Sequence, residues 1–254
     1  MQLQSMLLAI LFILSLTSCK AQSQTELFTI QIPSIEQEAS TVWRTINDIE
    51  FLEGQGYNIH LPKHPLIDNL IQKSKNGQFG NDDYPSIYQL LESEIYRKDA
   101  YQLSLAKVVA QKTLIQDMLA KLNTTHPNWE WGFKVYQPYE IVLTLYGTGG
   151  GYDPETGRVT LFTNQEGRFM KYQNPAYTII HEIIHIGIEY PIIQTYQVSH
   201  GNKERIVDTI VSLLFQDVLA GYQIQEMGNP ALDQELKSVA DIERLPQIVK
   251  RIKR

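Results

Sequence analysis

Two histidines, His181 and His185, stand four residues apart, with Glu182 between them, in Tyr177-Thr-Ile-Ile-His181-Glu182-Ile-Ile-His185-Ile-Gly-Ile188. On a helix, positions i and i+4 share a face, with Cβ atoms about 5–6 Å apart. Both rings can then hold one ion at Zn–N distances of about 2.0–2.1 Å. Glu182 leaves the helix beside His181, where its carboxylate can reach a water on the metal without ligating the metal itself. This H-E-x-x-H spacing predicts two zinc ligands, His181 and His185, and a general base, Glu182. The competing reading is a core histidine pair satisfied by hydrogen bonds. It leaves two imidazoles and a carboxylate in an apolar helix, which is costly unless something pairs with them.

A catalytic zinc takes three protein ligands and keeps one position open. Glu189 cannot be the third, because it lies about 12 Å along the helix axis from His181. An extended motif with a later glycine and a third histidine is excluded, since Ile188 and Pro191 occupy those places. Downstream runs Ser199-His200-Gly-Asn-Lys-Glu204-Arg-Ile-Val-Asp208. Glu204 and Asp208 share a helix face. If that face meets the first helix, Glu204 completes the coordination and Asp208 accepts the free N–H of a ligating ring. The residues alone leave other readings open: His200 or Asp208 as third ligand, or both acids as ordinary first-turn residues facing the helix dipole.

The elements that must position these groups have their own signals. Asn174-Pro175 is a helix start, with Asn as N-cap and Pro at the first helical position. Pro191 is expected to stop that helix after Tyr190. Between them nearly every residue except the His-Glu-His set is apolar, the mark of a buried helix. The second helix carries Ile206, Val207, Ile210, Val211, Leu213 and Leu214 at helical spacing and is expected to close at Gly221. Strands are expected over 132–135, 140–146 and 158–164. The glycine-rich stretch from Gly147 to Gly157 lacks Gly-Lys-Ser/Thr and a following helix, so it is no phosphate loop. Its glycines permit close backbone approach, as in a bulged hairpin or a substrate-binding edge. The first half reads as a strand over 27–32 and helices over 40–51, 65–73, 84–97 and 99–122. The last of these is marked by Leu103, Leu105, Val108, Val109, Leu114, Ile115, Met118 and Leu119. That half has no chemical signature, and His60, His64 and His126 read as ordinary surface residues.

H-E-x-x-H followed by Glu204-x-x-x-Asp208 resembles the gluzincin, thermolysin-like branch of the zincin metallopeptidases. The resemblance covers the two motif helices and, more loosely, the hairpin before them. It implies His181, His185 and Glu204 as zinc ligands, Glu182 as catalytic base and Asp208 as the acid behind the metal. It further implies an α+β, zincin-like fold with a small mixed sheet. An edge strand of that sheet packs on the motif helix and pairs with an extended peptide, and a mostly helical half precedes it. The family steadies the oxyanion with a histidine well after the third ligand, and no histidine follows His200 here. His200, Tyr190, Tyr196 and Tyr222 are the substitutes to consider.

At the start, the apolar run 6–16 is too short to span a bilayer and suits a signal-peptide core. Leu16-Thr-Ser-Cys19 resembles a bacterial lipobox, although no Lys or Arg precedes the apolar run. Cys19 is the single cysteine, which points to lipid attachment rather than a disulfide. The expected organisation is a signal peptide at 1–18, a tether at 19–26, a mostly helical region at 27–127 and a metallopeptidase region at 128–254. Residues 27–254 are also few enough to form one domain. A net charge of −6 argues against nucleic acid as a partner, and the basic run 250–254 reads as a solvated tail. The expected protein is a zinc peptidase lipid-anchored in a bacterial cell envelope, acting on a peptide or protein. Its rivals are a non-catalytic, metal-stabilised binding or structural lipoprotein, and a latent peptidase masked by its N-terminal half.

Overall fold

The computed structural model describes residues 26–252 other than Lys171. The expected signal segment 1–18, Cys19 and the tether up to residue 25 lie outside the described residues. The described chain is a mixed α+β structure, and its four strands form one sheet. β1 (Phe28–Gln31), β2 (Tyr139–Thr144) and β4 (Arg158–Phe162) run parallel, while β3 (Gly150–Asp153) pairs antiparallel with β4. The spatial order β1-β2-β4-β3 leaves β3 at an edge. Because β1 pairs with β2, the segments 27–127 and 128–254 share one sheet.

Between β1 and β2 lie six helices. α1 (Ile35–Asn47) starts at Ser34, whose hydroxyl accepts from the Gln37 amide while the Gln37 side chain accepts from the Ser34 amide. This capping box satisfies two N-terminal donors at once. α2 (Ile49–Gly54), α3 (Pro65–Lys75) and α4 (Tyr84–Leu90) follow. α1, α3 and α4 bury Ala39, Val42, Ile46, Ile67, Leu70 and Ile87 in a small core of their own. The helix expected over 84–97 ends as a wide turn, Leu91–Ile95.

The single helix expected over 99–122 is two, α5 (Gln102–Val109) and α6 (Lys112–Thr125), after a short 3-10 turn at Lys98–Tyr101. The break at Ala110 and Gln111 turns the apolar faces. Ile115, Met118 and Leu119 enter the main core, whereas Leu103 and Val109 are exposed. α5 instead presents polar groups inward: Ser104 Oγ meets Thr163 Oγ1 at 2.6 Å, and Lys107 Nζ donates to the Gly167 carbonyl. Gln111, at the break, accepts from the side chain of Asn174. Residues 132–135 form no strand. Gly132 adopts φ +85°, and Phe133 packs on Gly187, where a Cβ would lie 1.9 Å from its ring.

α7 (Pro175–Ile188) begins at Asn174, whose side chain accepts from the Ala176 amide, with Pro175 at its first position. It is enclosed by β3, β4, α6 and α8 (His200–Phe215), so twelve of its fourteen residues are buried. Pro191 does not end the coil. The chain widens into a π turn over Glu189–Gln194 that carries the proline, a geometry that relieves its clash with the preceding turn. α8 ends at Phe215, before the expected Gly221. α9 (Ala231–Glu235) and α10 (Leu245–Ile252) close the core. The basic run expected as a tail is helical through Ile252, with Arg251 paired to Glu235 and Lys250 over the Tyr196 ring. Among the described residues, no helix is long and apolar enough to cross a membrane.

One buried carboxylate joins the small core to the sheet. Glu38 on α1, 1% exposed, accepts from Thr144 Oγ1 at 2.5 Å, from the Leu145 amide at 2.9 Å and from the Tyr101 hydroxyl. Burial raises its pKa above 4.5 in spite of these donors. Glu38→Ala strands them and should cost on the order of 3 kcal/mol, read as a lower urea midpoint. A folded-state pKa above the unfolded one means that the native state binds the proton more tightly. The Glu38 contribution is therefore greatest below pH 4.5 and declines as pH rises from there through the folded value. Glu38→Gln should remove that component from a stability-against-pH curve; an unchanged curve contradicts it.

Candidate metal centre

α7 and α8 pack side by side, and His181, His185, Glu204 and Asp208 meet between them. His181 Nε2, His185 Nε2 and Glu204 Oε2 converge there. The two nitrogens are 3.0 Å apart, and each lies 3.4 Å from the carboxylate oxygen. These three residues form a group able to hold a metal ion. Three donors around one tetrahedral ion with bonds of about 2.0–2.1 Å lie about 3.3 Å apart, so the spacing fits. The donor set of two imidazoles and one carboxylate also suits zinc. Glu204 is 8% exposed and lies beyond the first turn of α8, so it is not an ordinary first-turn acid.

The groups behind the triad orient its rings. Asp208, fully buried, places Oδ1 3.0 Å from His181 Nδ1. The Tyr222 hydroxyl lies 2.8 Å from the same nitrogen and donates to Asp208 Oδ1 at 2.6 Å. The Gln225 amide donates to the other Asp208 oxygen. With Nδ1 held by Asp208 and Tyr222, the His181 ring turns Nε2 toward His185 and Glu204. On His185, Nδ1 is buried with no hydrogen-bond partner, and the ring stacks on Tyr152 with centroids 4.7 Å apart and planes 3° from parallel. Tyr152 donates to Glu189 Oε2 and accepts from Lys203 Nζ at 3.1 Å. Glu189 thus points away from the triad.

Glu182 lies beside the triad, and its carboxylate abuts β3. A Cβ on Gly150 would lie 2.1 Å from Glu182 Oε1, so only glycine leaves room for that carboxylate. Burial pushes the Glu182 carboxyl up to about 7, with the Glu204 and Asp208 charges adding to the rise and His181 and Lys203 opposing it. Burial also opposes charge on His181, but Asp208, Glu204 and Glu182 together hold that imidazole up to about 9. At His185 burial outweighs the support of Glu204, and the charges of His181 and Lys203 add to the fall, so that imidazole is drawn down to about 4. Glu204 resists burial because both imidazoles stabilise its charge, and it stays far below the ordinary carboxylate range.

The triad and Glu182 line a cleft of about 630 Å³. β3 forms one wall; α1, α2 and the following loop form the opposite wall. His200 also lines it but stands outside the triad: its Nδ1 is 3.8 Å from Glu204 Oε1, and its Nε2 bonds the Tyr57 hydroxyl at 2.8 Å. Tyr222 serves behind His181 rather than in the cleft. Tyr190 bonds Glu155, and Tyr196 lies under Lys250. Sequence reasoning missed Tyr57, Tyr152, Lys203 and Gln225, none of which carries a local signal. His60, His64 and His126 are half-buried rather than surface groups. The first packs on Phe162, the second caps α3, and the third packs on Phe133.

No protein-family model matches the chain, and neither a curated protein nor a solved structure does.

Titration of the metal-stripped protein with zinc should show one tight site. Asp208→Asn and Tyr222→Phe should each weaken it about 10–100-fold by freeing the His181 ring, and Glu204→Gln should weaken it more. Unchanged zinc affinity in Glu204→Gln contradicts the assignment.

Proposed function

We propose that this chain is a zinc-dependent peptidase with a zincin-like arrangement of the gluzincin type. The observation that carries this reading is the spacing of His181 Nε2, His185 Nε2 and Glu204 Oε2, with Asp208 behind His181 and Glu182 beside them in one cleft. A motif helix beneath an edge strand, followed by a second ligand helix, supports the zincin-like assignment. Zinc held by these donors would supply a Lewis acid and bring the pKa of water in its open position toward neutrality.

The chain's own residues do the rest. Glu182 takes a proton from the attacking water and returns it to the leaving amine. Burial raises the Glu182 carboxyl above its ordinary value, which favours its taking up the proton. Gly150 gives Glu182 its room, and the open edge of β3 offers main-chain groups to an extended peptide. Tyr152 and Asp208 hold the two ligand rings in place. The lipobox-like Leu16-Thr-Ser-Cys19 supports attachment to a bacterial cell envelope through lipid on Cys19, with the substrate met at that surface.

Glu182→Gln keeps the shape and removes the base, so peptide hydrolysis should fall by at least about 10²–10⁴-fold while zinc content stays at the wild-type level. Gly150→Ala should depress turnover in the same way by pushing Glu182 aside. A Glu182→Gln protein that still cleaves peptides at the wild-type rate contradicts the mechanism.

A further inference from the structure

The loop after α2 lines the cleft and bridges two of the elements that border it. Residues 57–60 form a strap fixed at both ends. At one end the Tyr57 hydroxyl bonds His200 Nε2 at 2.8 Å, on the first turn of α8. At the other, His60 and Gly147 exchange two main-chain hydrogen bonds of 2.8 Å each, just before β3. The His60 ring is anchored on Phe162 with centroids 4.7 Å apart. Tyr57 and Asn58, between these anchors, line the cleft, and Phe51 of α2 meets the His200 ring edge-on beside them. The strap therefore joins the start of the ligand helix to the turn that enters the edge strand.

This has a consequence for any chain that adds to β3. An extended peptide lengthens a sheet by using free N–H and C=O groups along the edge. Both groups of Gly147 are taken by His60. The chain bends at Thr148 and Gly149, so the extended edge of β3 stops at Gly150, and beyond it Gly147 is already bound to the strap. A groove open at both ends receives the middle of a chain; an edge that stops short at a strap receives an end.

On the peptidase reading above, we propose that the site takes the termini of peptides and excludes chain interiors, as an exopeptidase or a peptidase of short peptides. Arg44 and Asp48, which also line the cleft and form an exposed ion pair at 3.8 Å, offer a charge of either sign to a terminal carboxylate or amine.

The test uses the zinc-loaded full chain and one short peptide sequence in four forms: free at both ends, acetylated, amidated and blocked at both ends. Products are read by mass spectrometry. The free peptide should be cut near one end, one single cap should abolish cutting and so name the recognised terminus, and the doubly blocked peptide should persist. In Tyr57→Ala, which loosens the strap, cleavage of the doubly blocked peptide relative to the free one should rise on the order of tenfold. Cutting of the doubly blocked peptide by the wild-type protein as fast as the free one overturns the proposal while leaving the peptidase reading intact. Failure to cut any of the four overturns both.

Discussion

Two imidazoles and a carboxylate aimed at one buried spot need a shared cation between them, either a proton or a metal ion. His181 Nε2, His185 Nε2 and Glu204 Oε2 approach within 3.0–3.4 Å, and Asp208 with Tyr222 holds the far side of the His181 ring. Burying polar groups in such an arrangement is costly without a compensating partner. A metal ion held by this group would meet that need, and its binding free energy would then be available to the fold. Packing holds α7 and α8 at the separation that brings the three groups together.

That separation is set by packing. α7 is enclosed by the sheet, α6 and α8, and Gly187 lets the Phe133 ring close onto the helix. The arrangement leaves two helices little freedom to slide, because cores are packed to near-crystalline density. On the other side of the cleft, Glu38 ties the small helical core to the end of β2. The N-terminal helices, without chemistry of their own in the sequence, contribute residues of α1, α2 and the following loop to the lining of the cleft.

The His181, His185 and Glu204 group able to hold a metal ion was legible because helical spacing is local. His181, Glu182 and His185 share a turn, and Glu204 and Asp208 share a face, so the pattern survives without knowledge of the fold. The buried character of α7 was legible from its unbroken isoleucines, and the start of the helix from Asn174-Pro175. Features set by distant contacts were not. The apolar periodicity of 99–122 runs through a break at Ala110 and Gln111, where Gln111 accepts from the distant Asn174. Pro191 reads as a stop, yet a π turn accommodates it. Residues 132–135 have strand-like composition, but Gly132 bends the chain and delivers Phe133 to α7. Tyr57 reaches His200, and Tyr152 stacks on His185, across separations no local pattern encodes.

The most direct test of the whole account is anomalous diffraction at the zinc edge from crystals of the purified chain. A single peak bounded by His181 Nε2, His185 Nε2 and Glu204 Oε2, with a non-protein oxygen completing the shell toward Glu182, is the predicted result. No peak at that point, or a fourth protein side chain closing the coordination, would contradict it.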